Sequence, residues 1–173
     1  IGMGALGDVT NHVVGTVALG YASLAASGLT TAANYTVAIG YLAANALTSG
    51  AHNTAIGYNA LAVHTTGNSN TVIGYGAMDD TDAGSTSLGS GDNVFIGEIA
   101  GGGTWADAAS NANVGIGNNV MDAAMNGALN NTAVGHAALG ALTTGDNNVA
   151  LGSGAGGALT SGVNNVIIGI SAG

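Results

Sequence analysis

The chain contains no lysine, arginine, cysteine or proline. With nine acidic residues and a formal net charge of −9, it has nothing to neutralise phosphates. That argues against nucleic acid and anionic membrane surfaces as partners. Without cysteine there are no disulfides and no thiolate metal sites, and the redox compartment is not encoded. One Trp, five Tyr and one Phe are too few for the aromatic girdles of a membrane β-barrel. No run approaches the roughly eighteen apolar residues of a membrane helix. The missing cations also make a poor trypsin substrate, which suits exposure outside a cell, although the biased composition of a repeat is the simpler cause.

What the chain has instead is glycine in a fixed frame. Ten times an aliphatic residue is followed by glycine, at Gly2, Gly20, Gly40, Gly57, Gly74, Gly97, Gly117, Gly135, Gly152 and Gly169, with intervals of 17 to 23 residues. A period this short is one structural rung, not a domain. Three residues before the framed glycine stand Val17, Val37, Thr54, Thr71, Val94, Val114, Thr132, Val149 and Val166, all β-branched. Residues two apart share a face of an extended strand. The spacing therefore predicts one short strand per rung, with these residues and the aliphatic residue before the glycine facing inward. A helix is excluded because apolar residues do not recur at three and four, and glycine or asparagine interrupts every eight or so residues.

Four residues before the glycine is an amide column of Asn53, Asn70, Asn93, Asn113, Asn131, Asn148 and Asn165, with Thr16 and Thr36 in the first two rungs. Stacked amides hydrogen-bond from rung to rung, as identical side chains do in cross-β stacks, so these residues are expected to form a structural ladder. Alanine recurs three residues after the glycine, at Ala5, Ala43, Ala60, Ala77, Ala100, Ala138, Ala155 and Ala172, which suggests a tight corner or a close backbone approach. A second glycine recurs as Gly50, Gly67, Gly84, Gly127, Gly145 and Gly162, read as turn residues with positive φ. A rung of this length encloses a thin core. Leu47, Leu61, Met78, Leu139, Leu142 and Leu159 are accordingly expected to pack between chains.

The motifs Asn53-Thr54-Ala55-Ile56-Gly57-Tyr58-Asn59-Ala60-Leu61 and Asn70-Thr71-Val72-Ile73-Gly74-Tyr75-Gly76-Ala77-Met78, with Thr65-Thr66-Gly67 between them, resemble repeats of phage tail-fibre and virion structural proteins. The step Val37-Ala38-Ile39-Gly40 is similar to the head repeat of trimeric autotransporter adhesins. The rungs here are longer and the serines fewer than in those heads. The resemblance implies a β-roll shared by three chains and a role in attachment.

Irregular rungs are where a site could be grafted. The longest interval, between Gly74 and Gly97, carries Asp79, Asp80 and Asp82 near Gly84, a candidate calcium set through oxygen ligands. It lacks the closing Glu of a calcium loop, and a solvated acidic bulge is the plainer reading. The next rung holds Glu98, Trp105 and Asp107 near Phe95, a candidate sugar or receptor contact, or else a structural plug with Trp105 filling a wider rung. Tyr21, Tyr41, Tyr58 and Tyr75 each follow a framed glycine and are expected to form a surface column. His12, His52, His64 and His136 fall at different frame positions with no ligand-spaced partner and read as surface residues. The run Gly152-Ser153-Gly154-Ala155-Gly156-Gly157 lacks the Lys of a P-loop. No Ser, base and acid arrangement is visible, so the chain reads as non-enzymatic and without a cofactor, calcium aside.

The expected fold is all-β, a parallel β-solenoid (β-roll) of about ten rungs of 17 to 23 residues, assembled as an intertwined homotrimer. Residues 1–173 read as one repetitive segment of a longer fibre protein. The expected function is a structural segment of an extracellular or virion fibre, a tail fibre or adhesin stalk. A receptor- or glycan-binding module using rungs 75–110 is the alternative, with a host-surface glycan or protein as partner. An ice-binding solenoid is a third reading. It would need a flat array of Thr two residues apart, whereas Thr30-Thr31, Thr65-Thr66 and Thr143-Thr144 are adjacent pairs.

Overall fold

A computed structural model describes residues 2–6, 13–26, 30, 33–81, 89–105 and 108–173. Nine three-residue strands follow one another: β1 (Val17–Leu19), β2 (Val37–Ile39), β3 (Thr54–Ile56), β4 (Thr71–Ile73), β5 (Val94–Ile96), β6 (Val114–Ile116), β7 (Thr132–Val134), β8 (Val149–Leu151) and β9 (Val166–Ile168). They form one parallel sheet in sequence order. The chain is an all-β parallel β-solenoid of about eight full turns, with no α-helix among the described residues. The first framed glycine, Gly2, adds a turn stacked on the next rung through Ala22 N–H donating to Met3 C=O at 3.0 Å. It adds no strand among the described residues, so nine strands stand against the ten aliphatic-glycine steps.

Register is uniform: Val37 pairs with Thr54, Ala38 with Ala55, Ile39 with Ile56, and each later pair repeats the frame. Which face is buried is the reverse of the expectation from spacing. In each strand the middle residue lies inside, giving an inner column of Ala38, Ala55, Val72, Phe95, Ala133 and Ala150. The residues on either side point outward. The inner column is mostly alanine because the coil is narrow, and the large Phe95 is matched by Gly115 at the same position of the next strand. The outward β-branched residues repeat because each packs on its counterpart one rung away.

The rest of the interior comes from the turns. Leu24, Leu47, Leu61, Met78, Met121, Leu139 and Leu142 are fully buried within this one chain, and Leu159 packs against them. Of the apolar residues expected to lie between chains, Leu47, Leu61, Met78, Leu139 and Leu142 are thus core residues of the coil itself. Several, including Leu24 (φ 48°), Leu61 (φ 55°), Met78 (φ 46°) and Met121 (φ 44°), occupy the left-handed region. That region costs an L-residue roughly 1–2 kcal/mol, and here the sharp bend it makes is what aims the side chain inward.

The framed glycine closes each corner. Its carbonyl accepts from the alanine three residues on, as in Ala155 N–H to Gly152 C=O at 3.2 Å and Ala138 N–H to Gly135 C=O at 3.3 Å. A Cβ on Gly117, whose φ is +139°, would stand 2.5 Å from the Gly135 carbonyl oxygen. Glycine is therefore required twice over, by φ and by the approach of the next rung. The second glycines Gly50, Gly67, Gly145 and Gly162 differ from expectation, since none has a positive φ. They are glycine because an added Cβ would strike the adjoining rung or the interior, as at Gly145, where Leu142 Cδ1 would lie at 2.8 Å. Gly127, with φ 85°, is the member that does turn left-handed, and Gly84 lies outside the described residues.

Gly117→Ala is expected to destabilise the coil by roughly 3–5 kcal/mol, combining backbone strain with overpacking. Gly169 shares the conformation (φ +128°), but an added Cβ there meets only Ala172 Cβ at 3.6 Å. Gly169→Ala should thus cost about 1–3 kcal/mol. Thermal melts of the two variants separate clash from strain, and equal losses would refute the role given to the neighbouring rung.

Candidate functional site

Three features could carry function: the amide column, the long rungs, and the outward columns. In the amide column each Asn side chain is placed by the strand that follows it. Asn113 Nδ2 donates to Asn93 Oδ1 at 3.3 Å and to Ala128 C=O at 2.8 Å. Its Oδ1 accepts from Asn131 N–H and Asn131 Nδ2, both at 3.0 Å. The same pattern links Asn53 to Asn70, Asn70 to Asn93, Asn131 to Asn148 and Asn148 to Asn165. From Asn70 to Asn148 each side chain both donates and accepts along the column, so its polar groups are tied up inside the coil. The column is a scaffold element, capped by Thr36 Oγ1 donating to Gly50 C=O at 3.4 Å.

The long rungs do not assemble the expected groups. Trp105 is buried and meets Phe95 edge to face, with ring centroids 5.8 Å apart and planes at 70°. It fills its own rung, and its Nε1–H has no partner among the described residues. A ring so enclosed offers no stacking platform, while Glu98 is exposed on the surface and Asp107 lies outside the described residues. The volume of Phe95 is accommodated by Gly115 on the next strand, where a Cβ would sit 2.6 Å from the ring.

Of the candidate calcium set, Asp82 lies outside the described residues. Asp79 and Asp80 are both half-buried, and Asp80 Oδ2 accepts from Thr104 Oγ1. Among the described residues no group of three His, Asp or Glu side chains is arranged to hold a metal ion. Burial pushes the Asp79 carboxyl above its ordinary value of 3.8; a hydrogen bond from its own backbone opposes this, and repulsion from Asp80 adds to it.

The histidines stay apart. His52 stacks on Tyr35 at 5.2 Å, and His136 is exposed. His64 is buried, contrary to the surface reading, and its Nδ1 lies 3.0 Å from Thr81 Oγ1. His12 and Thr31 lie outside the described residues. The threonine pairs serve the scaffold, with Thr48 Oγ1 donating to Thr65 C=O at 3.1 Å and Thr143 Oγ1 to Thr160 C=O at 2.9 Å.

The surface features absent from the expected site are the outward columns. One side of each strand carries the Val or Thr listed above, from Val17 to Val166. The other carries Leu19, Ile39, Ile56, Ile73, Ile96, Ile116, Val134, Leu151 and Ile168. None is charged, and all are half-buried or exposed. The repeat itself signals this face; only its direction was misread. Past the bend at the framed glycine, Tyr21, Tyr41, Tyr58 and Tyr75 form a continuous stack, each ring 5.1 Å from the next and within 12° of parallel.

No family model matches the chain, and no curated protein or solved structure matches it either.

Two outcomes follow from these placements. Asn113→Ala strands buried polar groups on both neighbouring rungs and should destabilise by about 3 kcal/mol. Asn165→Ala, just before the last strand, should cost about 1 kcal/mol; chemical denaturation distinguishes the two, and similar losses would contradict a ladder satisfied rung by rung. Because the folded pKa of Asp79 is raised, the folded state holds that proton more tightly than the unfolded chain. Its contribution to stability is present at low pH and is lost as pH rises through the folded value. Asp79→Asn should remove that component and be the more stable form at neutral pH, as read by melts across pH.

Proposed function

We propose that this chain is a structural segment of an extracellular or virion fibre, and that it associates lengthwise with further copies of itself. The observation that supports this is the outer sheet face. Nine in-register strands present two uncharged columns of Val, Thr, Ile and Leu to solvent, on a chain of net charge −9. At a rung spacing of about 4.8 Å this stripe runs for roughly 40 Å. This uncharged, largely apolar stripe, half-buried through its middle rungs, Ile116 excepted, and exposed in the first and the last two, has the extent of an interaction surface.

Self-association suits the stripe because a second copy carries the same columns at the same spacing, so side chains interdigitate without a charge to desolvate. The three-chain arrangement is the one implied by the resemblance to tail-fibre and adhesin repeats. Two features support a mechanical, non-enzymatic role. The buried asparagines are bonded to one another from rung to rung, and the strands contact only their neighbours, which makes an extended rod.

The mass of the native particle by light scattering should be about three times the 16.3 kDa of one chain. Placing two charges on the stripe with the double variant Ile56→Lys, Ile73→Lys should weaken the assembly by about tenfold or more, since about 1.4 kcal/mol lost gives that factor. The circular dichroism should stay as in the wild type. A wild-type particle of single-chain mass at micromolar concentration would sink the self-association reading.

A further inference from the structure

We propose that Tyr75 and Glu98 form a site for the guanidinium of an arginine side chain carried by a partner polypeptide. Charge comes first. Nine carboxylates share a chain with no lysine or arginine, so any lasting cationic partner for them must come from another molecule. The tyrosine stack then supplies the surface. The stack has two ends: among the described residues Tyr21 is stacked on Tyr41 alone and Tyr75 on Tyr58 alone, and of the two ends Tyr75 is the one followed in the next rung by an acidic residue, Glu98. Tyr75 is also the most exposed of the four, at 57 % against 42–47 % for the others.

In the next rung the frame position held by these tyrosines belongs to Glu98, so the stack has no fifth ring. The two residues hold the same place in consecutive rungs, and the register is fixed by Ile99 N–H donating to Tyr75 C=O at 2.9 Å. Glu98 is exposed, and its backbone N–H is held by Asn118 Oδ1 at 3.1 Å. An exposed ring with no further ring stacked on it is therefore followed, one rung along the axis, by an acidic residue. A guanidinium is flat, stacks on an aromatic face and pairs with a carboxylate at its edge, which an ammonium does less well. It would continue the stack where the tyrosines stop. Tyr58, itself stacked on Tyr41, holds the Tyr75 ring in orientation, so little ordering is needed on binding.

The site lies past the glycine bend from the outer sheet face and does not depend on self-association. It is tested on the native particle with a fluorescently labelled hexa-arginine peptide, followed by anisotropy at physiological salt. Saturable binding is expected, weakened about two- to fivefold by Tyr75→Leu and by a similar factor by Glu98→Gln, the range given by one exposed cation–π contact or one surface ion pair. Tyr75→Phe, which keeps the ring, should bind as the wild type does. Asp92→Asn, which removes one exposed charge elsewhere, should leave binding within about 1.5-fold of wild type, since a screened surface charge contributes little at this range. A hexa-lysine peptide should bind more weakly than hexa-arginine. Equal losses for Asp92→Asn and Glu98→Gln, unchanged binding by Tyr75→Leu, or equal affinity for the two peptides would each overturn the assignment in favour of diffuse attraction to an acidic rod.

Discussion

Everything in this molecule depends on each residue meeting its own counterpart one turn later. The strands are three residues long, too short to hold together by themselves, and they persist because the whole rung is in register with the next. The closest approach occurs at the framed glycines, where the carbonyl of one rung fills the space a side chain would need on the previous one. That contact sets the turn-to-turn distance, and the other columns follow from it. Asparagine suits the interior because its amide can donate and accept along the axis at that distance. Tyrosine suits the surface because flat rings stack at it.

The same constraint explains what could be read from the sequence and what could not. The strand positions, the parallel repeat and the amide column were all legible, because each is a direct image of the period. The direction of the strand faces was not. In a globular sheet a repeated β-branched position signals burial, since only the core selects for it. In a coil, Val37, Thr54 and Thr71 are selected from outside by stacking on one another, so repetition marks both faces alike. The better signal was size: Ala38, Ala55, Ala133 and Ala150 at the middle position announce a narrow interior. Gly50 and Gly145 were similarly misread as turn residues, because composition does not separate a glycine needed for φ from one needed for space. The buried Leu and Met of the turns were hidden for a third reason, as left-handed backbone at leucine has no sequence signature.

The candidate sites divide along the same line. Trp105 was legible from the sequence either as a receptor contact or as a plug for a wider rung, and its burial against Phe95 is the plug; Gly115, the one glycine at a middle strand position, makes room for the Phe95 ring. Glu98 was singled out from the sequence for its neighbourhood to Trp105. In the fold it instead adjoins Tyr75, a residue 23 positions earlier. Proximity along the chain was a poor guide, and proximity in frame a good one.

The left-handed residues also bear on how such a chain becomes ordered. A solitary rung would hold several strained bends with no neighbour to brace them, so the first pair of turns is an unfavourable nucleus. Each later turn joins a template already formed, through contacts only 17 to 23 residues apart in sequence. Loop closure at that separation is inexpensive in entropy. Ordering is then a process of slow initiation and rapid winding, in which chain length adds stability without adding a new barrier.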